Sequence, residues 1–344
     1  MSIRRIEIAP GYSVSRLLKG GWQLAGGHGT IDRDSAIDDM ARFVEAGITT
    51  FDCADIYSGV EDLIGVFLRG WRGAPIQVHT KYVPDLDTLE RLTRRDVEAA
   101  IDRSLTRLGV ERLDVVQLHW WNYQVPRYVE VATWLDECRR AGKIAHLGVT
   151  NFDTEHLREV LDAGVSLVSH QVQYSVMDRR PAAAMTTLCQ QAGIQLLCYG
   201  AIAGGFLSDR YLDQPAPAEP LDNRSLVKYR LIIEEFGGWD RFQILLRVLR
   251  AIADRHGVSI SAVAVRWVLD QPRVAGVIVG ARHSGHLADL PGAATLRLTA
   301  EDRALIAGTQ RGAAGPAGDV YGLERQPGGS HASIMRYTLN AGAR

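Results

Sequence analysis

The sequence predicts an α/β chain folded as a (β/α)8 TIM barrel, with an N-terminal hairpin ahead of the barrel and a long insertion after its seventh strand. Three observations predict it. Eight short apolar runs are spread along the chain, each of the kind that forms a strand buried on both faces. Amphipathic runs with a 3.6-residue period lie between them. The length, 344 residues, suits one barrel, although length alone would suggest about two domains. A barrel of this size buries a large core.

Residues 1–15 read as a hairpin with Pro10-Gly11 at the turn, placed to plug the barrel bottom. Barrel strands are expected near 16–20, 48–52, 76–80, 114–119, 144–149, 167–172, 194–199 and 274–279, with Val115-Val116-Gln117-Leu118 and Val277-Ile278-Val279 the clearest. A helix is expected over 33–46, where Ile37, Met40, Ala41 and Val44 share a face and Gly47 stops the run. Another is expected over 93–108, on Val97, Ile101, Leu105 and Leu108. Thr93 is its N-cap, Asp96 follows three residues on, and Gly109 ends it. Asp153 caps a helix from Thr154, and Pro181 suits the first turn of the next.

The gap from 194 to 274 holds a Pro-rich stretch, 214–220, and two helical runs, 241–256 and 259–270. It reads as an insertion and not a second domain, and long loops of this kind are often functional. Residues 1–344 therefore form one expected domain, with a barrel core of about 16–311 and a tail of 312–344. The tail is rich in Gly, Pro and Ala, then more regular around Ile334, Met335, Tyr337 and Leu339. Whether it folds back over the barrel is left open.

Charge excludes some functions. With 39 Lys+Arg against 40 Asp+Glu, nothing favours nucleic acid or an anionic membrane as a partner. No apolar stretch is long enough to cross a bilayer, and the start of the chain lacks an apolar leader. Cys53, Cys138, Cys189 and Cys198 form no CxxC pair, and the histidines are not at zinc spacing, so no metal site is expected. A reduced, cytoplasmic protein fits this cysteine usage. Nothing bears on the oligomeric state.

Barrel enzymes place their chemistry at the C-terminal ends of the strands. Asp52 closes the second strand, Tyr57 follows on the outgoing loop, Lys81 closes the third and His119 closes the fourth. A free tyrosine, with a pKa of about 10, is a poor acid near neutrality, and a nearby cation such as Lys81 is expected to lower it. Asp52 can pair with Lys81 so that no lone charge is buried. His119 can hydrogen-bond a substrate carbonyl oxygen while Tyr57 gives it a proton, a form of catalysis worth about 10²–10⁴-fold. Each residue alone carries little weight; their joint placement at successive strand ends is what points to a site.

The residues also resemble a known family. Phe51-Asp52-Cys53-Ala54-Asp55-Ile56-Tyr57 is similar to the FDTADIYG motif of the aldo-keto reductases, with Cys53 in place of Thr. His79-Thr80-Lys81-Tyr82, Gln117-Leu118-His119-Trp120 and Gly148-Val149-Thr150-Asn151-Phe152 resemble its TK, QLHW and GVSNF segments. Gln171-Val172-Gln173-Tyr174-Ser175 and Tyr199-Gly200-Ala201 stand where its NQxxYS and YSPL segments would. The resemblance runs in order from about Gly20 to Leu290, with features of a subgroup from bacteria and plant plastids. It implies a barrel that reduces aldehydes or ketones with NADPH, using Asp52, Tyr57, Lys81 and His119 as its tetrad.

By the same resemblance, Thr150, Asn151 and Gln171 would grip the nicotinamide carboxamide, and Tyr199, followed by Gly200, would stack on the ring. Gly204-Gly205-Phe206-Leu207-Ser208 would lie along the pyrophosphate, where glycines let backbone amides approach oxygen closely. Gly280-Ala281-Arg282 would meet the 2′-phosphate of NADP+, for which Arg282 offers a charged fork. His286 and Leu290 depart from the Gln and Asn usual there. No Gly-x-Gly-x-x-Gly follows a strand, and Gly26-Gly27-His28-Gly29 reads as a loop after the first strand. Trp22, Trp120 and Trp121, with Tyr82 and Trp239 as further candidates, would line a mouth suited to a partly apolar carbonyl compound. Two alternatives stay open: the same site run as an NADP-dependent alcohol or sugar dehydrogenase, and a cofactor-binding regulatory subunit without significant turnover.

Overall fold

The computed structural model describes residues 3–26, 31–280, 284–288 and 290–340; the side chains of His286, Ala288 and Pro291 lie outside that description. A hairpin of β1 (Arg5–Ala9) and β2 (Tyr12–Ser15) precedes eight parallel strands. These are β3 (Leu17–Gly20), β4 (Thr50–Asp52), β5 (Gln77–Tyr82), β6 (Leu113–His119), β7 (Ile144–Thr150), β8 (Leu167–Gln173), β9 (Gln195–Tyr199) and β10 (Val274–Gly280). They close into a barrel in chain order, with β10 pairing both β9 and β3. All eight expected strands are present. Their continuous burial explains why they read as unbroken apolar runs.

The hairpin lies under the barrel. Ile8 and Val14 pack with Leu18, Leu197, Ala275 and Ile278, and the Tyr12 hydroxyl sits 3.1 Å from Nε2 of His79 on β5. Gly11 takes φ +71° at the hairpin turn.

Between the strands run α1 (Arg33–Glu45), α2 (Val60–Gly70), α3 (Arg94–Leu108), α4 (Tyr128–Arg140), α5 (Thr154–Asp162) and α6 (Ala184–Gln191). Thr93 and Asp96 form a reciprocal capping box on α3, and Asp153 caps α5 by accepting from the His156 amide. Pro181 does not open α6. It sits in a separate 3-10 turn, Arg180–Ala182, and Ala183 at φ −111°, ψ −102° breaks the chain before the helix.

The insertion holds three helices where two were expected: α7 (Arg224–Phe236), α8 (Gly238–His256) and α9 (Ile260–Leu269). The signal for α7 is in the sequence. Asn223 caps it by accepting from the Leu226 amide, and Leu226, Tyr229, Ile232, Ile233 and Phe236 are its buried face. A Pro-rich approach and Gly237-Gly238 at its end mask that period. Helix α7 comes close to the chain after β9: a Cβ on Gly200 would stand 2.6 Å from Tyr229 Oη, and one on Gly204 2.8 Å from its ring.

The chain then forms α10 (Leu290–Thr295) and α11 (Ala300–Gln310), and the tail adds α12 (Gly322–Arg325) and α13 (Ser330–Ser333). The tail does fold back. It crosses the C-terminal mouth, pinned by Asp319 at the Thr154 amide, by the Tyr337 carbonyl at the Leu86 amide, and by Asn340 against Asp85 and Val83. No helix among the described residues is long and apolar enough to cross a membrane.

Candidate active site

The ends of β4, β5 and β6 bring Asp52, Lys81 and His119 to one mouth. Lys81 Nζ donates to Asp52 Oδ2 and to the Cys53 carbonyl, both at 2.7 Å. The other carboxylate oxygen of Asp52 accepts from Gln171 Nε2 at 2.6 Å and Gln117 Nε2 at 3.3 Å. Both members of the ion pair are buried. Burial works against the charge on Lys81, but Asp52, with Tyr57 and Cys53, more than restores it, so its pKa is raised overall.

Tyr57 stands beside this pair, with Lys81 Nζ 5.3 Å from its ring centre and the Trp22 ring packed at 5.1 Å. Its phenol pKa is raised and not lowered, because burial of the phenolate outweighs the pull of Lys81. The expectation of a depressed value is not met: Lys81 does pull it down, but burial, with the Asp52, Cys53 and Asp55 charges adding to it, raises it more. Tyr57 therefore holds its proton at neutral pH.

His119 is buried and its pKa is pushed down to about 3, first by burial, then by the Arg325 charge, with Lys81 and Lys228 adding to it. The ring is neutral at physiological pH. Its Nδ1 lies 3.3 Å from the Thr150 carbonyl, and its Nε2 has no hydrogen-bond partner among the described residues. A carbonyl oxygen only accepts, so that contact exists in the Nδ1–H tautomer, in which Nε2 presents a lone pair. Trp121 meets the His119 ring edge-on at 4.2 Å and Tyr321 at 5.6 Å.

The remaining expected residues divide. Thr150, Asn151, Gln171 and Tyr199 come together, because Thr150 pairs with Gln171 across β7 and β8, and Gln173 with Tyr199 across β8 and β9. Tyr199 Oη donates to Asn151 Oδ1 at 2.8 Å, while the Gln171 amide nitrogen is committed to Asp52. Gly204 and Gly205 take φ +65° and +105°, and a Cβ on Gly205 would meet nothing within 4 Å. Phe206 and Leu207 are fully buried, so only their backbone can face a ligand; Ser208 Oγ donates to the Gly205 carbonyl. Gly280 ends β10. Arg282 and the Gly27-His28-Gly29 loop lie outside the described residues, as does the side chain of His286. The turn at 284–288 is tied to α1, where Asp39 Oδ1 accepts from the Ser284 amide and Arg42 donates to its hydroxyl.

Of the aromatic residues expected at the mouth, Trp22 and Trp121 flank Tyr57 and His119. Trp120 does not join them. It is fully buried, donates to the Asn122 and Val125 carbonyls and packs on Tyr128, so it anchors its loop. Tyr82 is also buried in the core. Trp239 packs on Phe206, Tyr211 and Phe242 within the insertion and donates to the Gln214 carbonyl.

Sequence reasoning missed a second group. Arg325 donates to the Asn151 and Trp120 carbonyls at 2.8 and 2.6 Å. Arg180, just after β8, binds Asp178 and Glu324, all three buried. Lys228 of α7 lies 5.0 Å from the Tyr199 ring centre and 5.5 Å from that of Tyr321. Nothing in the spacing of a Gly-rich tail ties residue 321 to the end of a strand at 119.

The aldo/keto reductase family model matches residues 16–310. The chain belongs to the aldo/keto reductase family. Flagellar radial spoke protein 5 of Chlamydomonas reinhardtii is 31% identical over 258 residues, covering 63% of this chain and 49% of that protein, so the chain spans about half its length. The NADH-specific methylglyoxal reductase of Escherichia coli is 25% identical over 316 residues, covering 86% and 94%. Among solved structures, the thermostable aldo-keto reductase Tm1743 in complex with epalrestat superposes with a TM-score of 0.70 at 25% identity, covering 89% and 99%. Aldo-keto reductases are oxidoreductases that act on small carbonyl compounds with nicotinamide cofactors, and this member carries the family's barrel with the four polar residues above at its mouth.

Proposed function

We propose that this aldo-keto reductase reduces an aldehyde or ketone to an alcohol with NADPH, and that Tyr57 gives the proton. One observation carries the reading: Lys81, held between Asp52 and the Cys53 carbonyl, places its ammonium beside a tyrosine that keeps its proton. Burial makes Tyr57 a reluctant acid at rest. Proton loss becomes favourable only as negative charge builds on the substrate oxygen, and the Lys81 charge then stabilises the tyrosinate. Asp52 keeps that ammonium charged and in place. His119 holds the substrate oxygen by donating from Nε2–H, in the other neutral tautomer, which gives up the Nδ1–H contact with the Thr150 carbonyl. Its Nδ1 contact, at 3.3 Å, is long enough for a carbonyl oxygen to compete for the ring proton. Trp22 and Trp121 keep water away.

The chain has features that suit the cofactor. Tyr199 offers an aromatic face beside Asn151, and the open backbone at Gly205 suits a phosphate. Thr150, Asn151, Gln171 and Tyr199 would hold the nicotinamide, which when bound supplies the hydride, and Gly200 to Ser208 would follow the diphosphate. Gly280 and Arg282 would meet the 2′-phosphate, with His286 nearby. The four unpaired cysteines suit a reducing, cytoplasmic setting.

The test is cofactor oxidation over a panel of aldehydes and ketones, with NADPH and NADH compared, for the wild type and Tyr57→Phe. Turnover is expected on at least one carbonyl, with kcat reduced about 10²–10⁴-fold in the variant and NADPH affinity held within about twofold. A variant of near wild-type activity removes Tyr57 as donor. Equal use of NADH and NADPH removes the 2′-phosphate contact. The reverse reaction is measured in the same screen with NADP+ and alcohols.

A further inference from the structure

We propose that the carbonyl substrate carries a carboxylate, and that Lys228 is the specificity residue that binds it; this rests on the reading of the mouth as a carbonyl-reducing site. Lys228 projects from α7 onto the Tyr199 and Tyr321 rings, at 5.0 and 5.5 Å from their centres. Tyr321 in turn meets the His119 ring at 5.6 Å. The ammonium therefore lies one aromatic ring away from the imidazole that would hold the reacting oxygen.

The ammonium is poorly matched within the protein. Among the described residues it makes no hydrogen bond, and its nearest carboxylate oxygen is Glu324 Oε1 at 4.0 Å. Glu324 already serves Arg180 at both oxygens, at 2.8 and 3.2 Å. Arg325 adds a second cation 5.0 Å from the Tyr321 ring centre, with its terminal nitrogens on backbone carbonyls and no carboxylate within 4 Å among the described residues. Lys228 and Arg325 are thus the two cations around Tyr321 that no carboxylate oxygen approaches closer than 4.0 Å among the described residues. Burial lowers the pKa of Lys228, against a partial restoring pull from Glu324, and an arriving anion would relieve that cost. Nearly a fifth of the Lys228 side chain remains exposed. A single ammonium with three donors matches a carboxylate.

The probe pair is 4-formylbenzoate and its methyl ester, flat aldehydes that suit the aromatic walls and differ in charge. Binding to the cofactor-loaded protein is read by tryptophan fluorescence, independently of turnover. The wild type is expected to bind the acid at least about tenfold more tightly than the ester, as a charge-assisted hydrogen bond allows. Lys228→Met is expected to lower the acid-to-ester ratio of kcat/KM about tenfold or more, and Lys228→Arg to restore most of it. A wild type that does not prefer the acid overturns the proposal, and needs no variant to fold. So does a Lys228→Met loss that is equal for acid and ester, which marks a purely structural lysine. A parallel loss of NADPH affinity overturns it too, since the charge would then be reading the cofactor diphosphate. If the acid is preferred in binding yet no carbonyl is reduced, the carbonyl-reductase reading fails and the carboxylate site stands.

Discussion

At the scale of single residues, the mouth is governed by how burial and charge compete. Asp52 is the hub: it receives Lys81, Gln171 and Gln117 in a buried setting. Removing one member of a buried pair typically costs about 3–5 kcal/mol, because the survivor is left uncompensated. Asp52→Asn is therefore expected to lower unfolding free energy in urea by that order. Lys81→Met should cost less than the sum when combined with it, since the uncompensated ammonium is then gone. An additive double mutant would mean that the two residues do not act as a pair. Tyr57 and His119 follow the same competition. Burial raises the first and lowers the second, so both are neutral before substrate arrives.

At the scale of elements, local sequence rules place the helices and glycines set how closely they approach. The Thr93–Asp96 box closes the start of α3 with reciprocal bonds. Thr93→Ala is expected to cost about 1 kcal/mol in chemical denaturation, with activity unchanged, because α3 lies outside the mouth. Helix α7 is the opposite case. It meets the chain after β9 only because Gly200, at φ +77°, and Gly204, at φ +65°, carry no side chain. Gly200→Ala is expected to displace Tyr229 and with it Lys228, lowering both the thermal midpoint and any discrimination between charged and neutral substrates. A variant with wild-type melting and wild-type selectivity would show that α7 does not depend on that approach.

At the scale of the whole molecule, three histidines are buried with pKa values near 3: His79 beneath the mouth against Tyr12, His119 at it, and His170 on β8 beside Met185. In the unfolded chain each returns to about 6.5. Between those values the unfolded state binds more protons than the native one, so stability rises with pH across the window and is lost as pH falls from about 6.5 towards 3. Protonating three buried imidazoles together on unfolding makes the acid transition steep. Urea midpoints are expected to fall markedly between pH 7 and pH 5. His170→Gln should flatten that slope by roughly one proton, and an unchanged slope would mean that His170 is not buried neutral.

Much of this protein is legible in one dimension because its rules are local. The eight strands are readable from apolar runs, α1 and α3 from their period, and α5 from its Asp153 cap. Asp52, Lys81 and His119 are readable because a parallel barrel sends all its strand ends to one side. Other features depend on which distant segments touch, and no local period encodes that. The burial of Trp120 depends on Tyr128 and the carbonyls of its own loop, whereas its neighbour Trp121 reaches His119. The upward displacement of the Tyr57 pKa depends on enclosure by residues from other loops. The tail that brings Tyr321, Glu324 and Arg325 to the mouth is held by Arg180 and by the ends of β6 and β7, more than 140 positions away along the chain. Short-range patterns of burial and capping, written along the chain, suffice for the barrel and the chemical kind of its mouth. Which charges meet there, and how well each is matched, follows from the folded packing, because desolvation and ion pairing are set by neighbours in space.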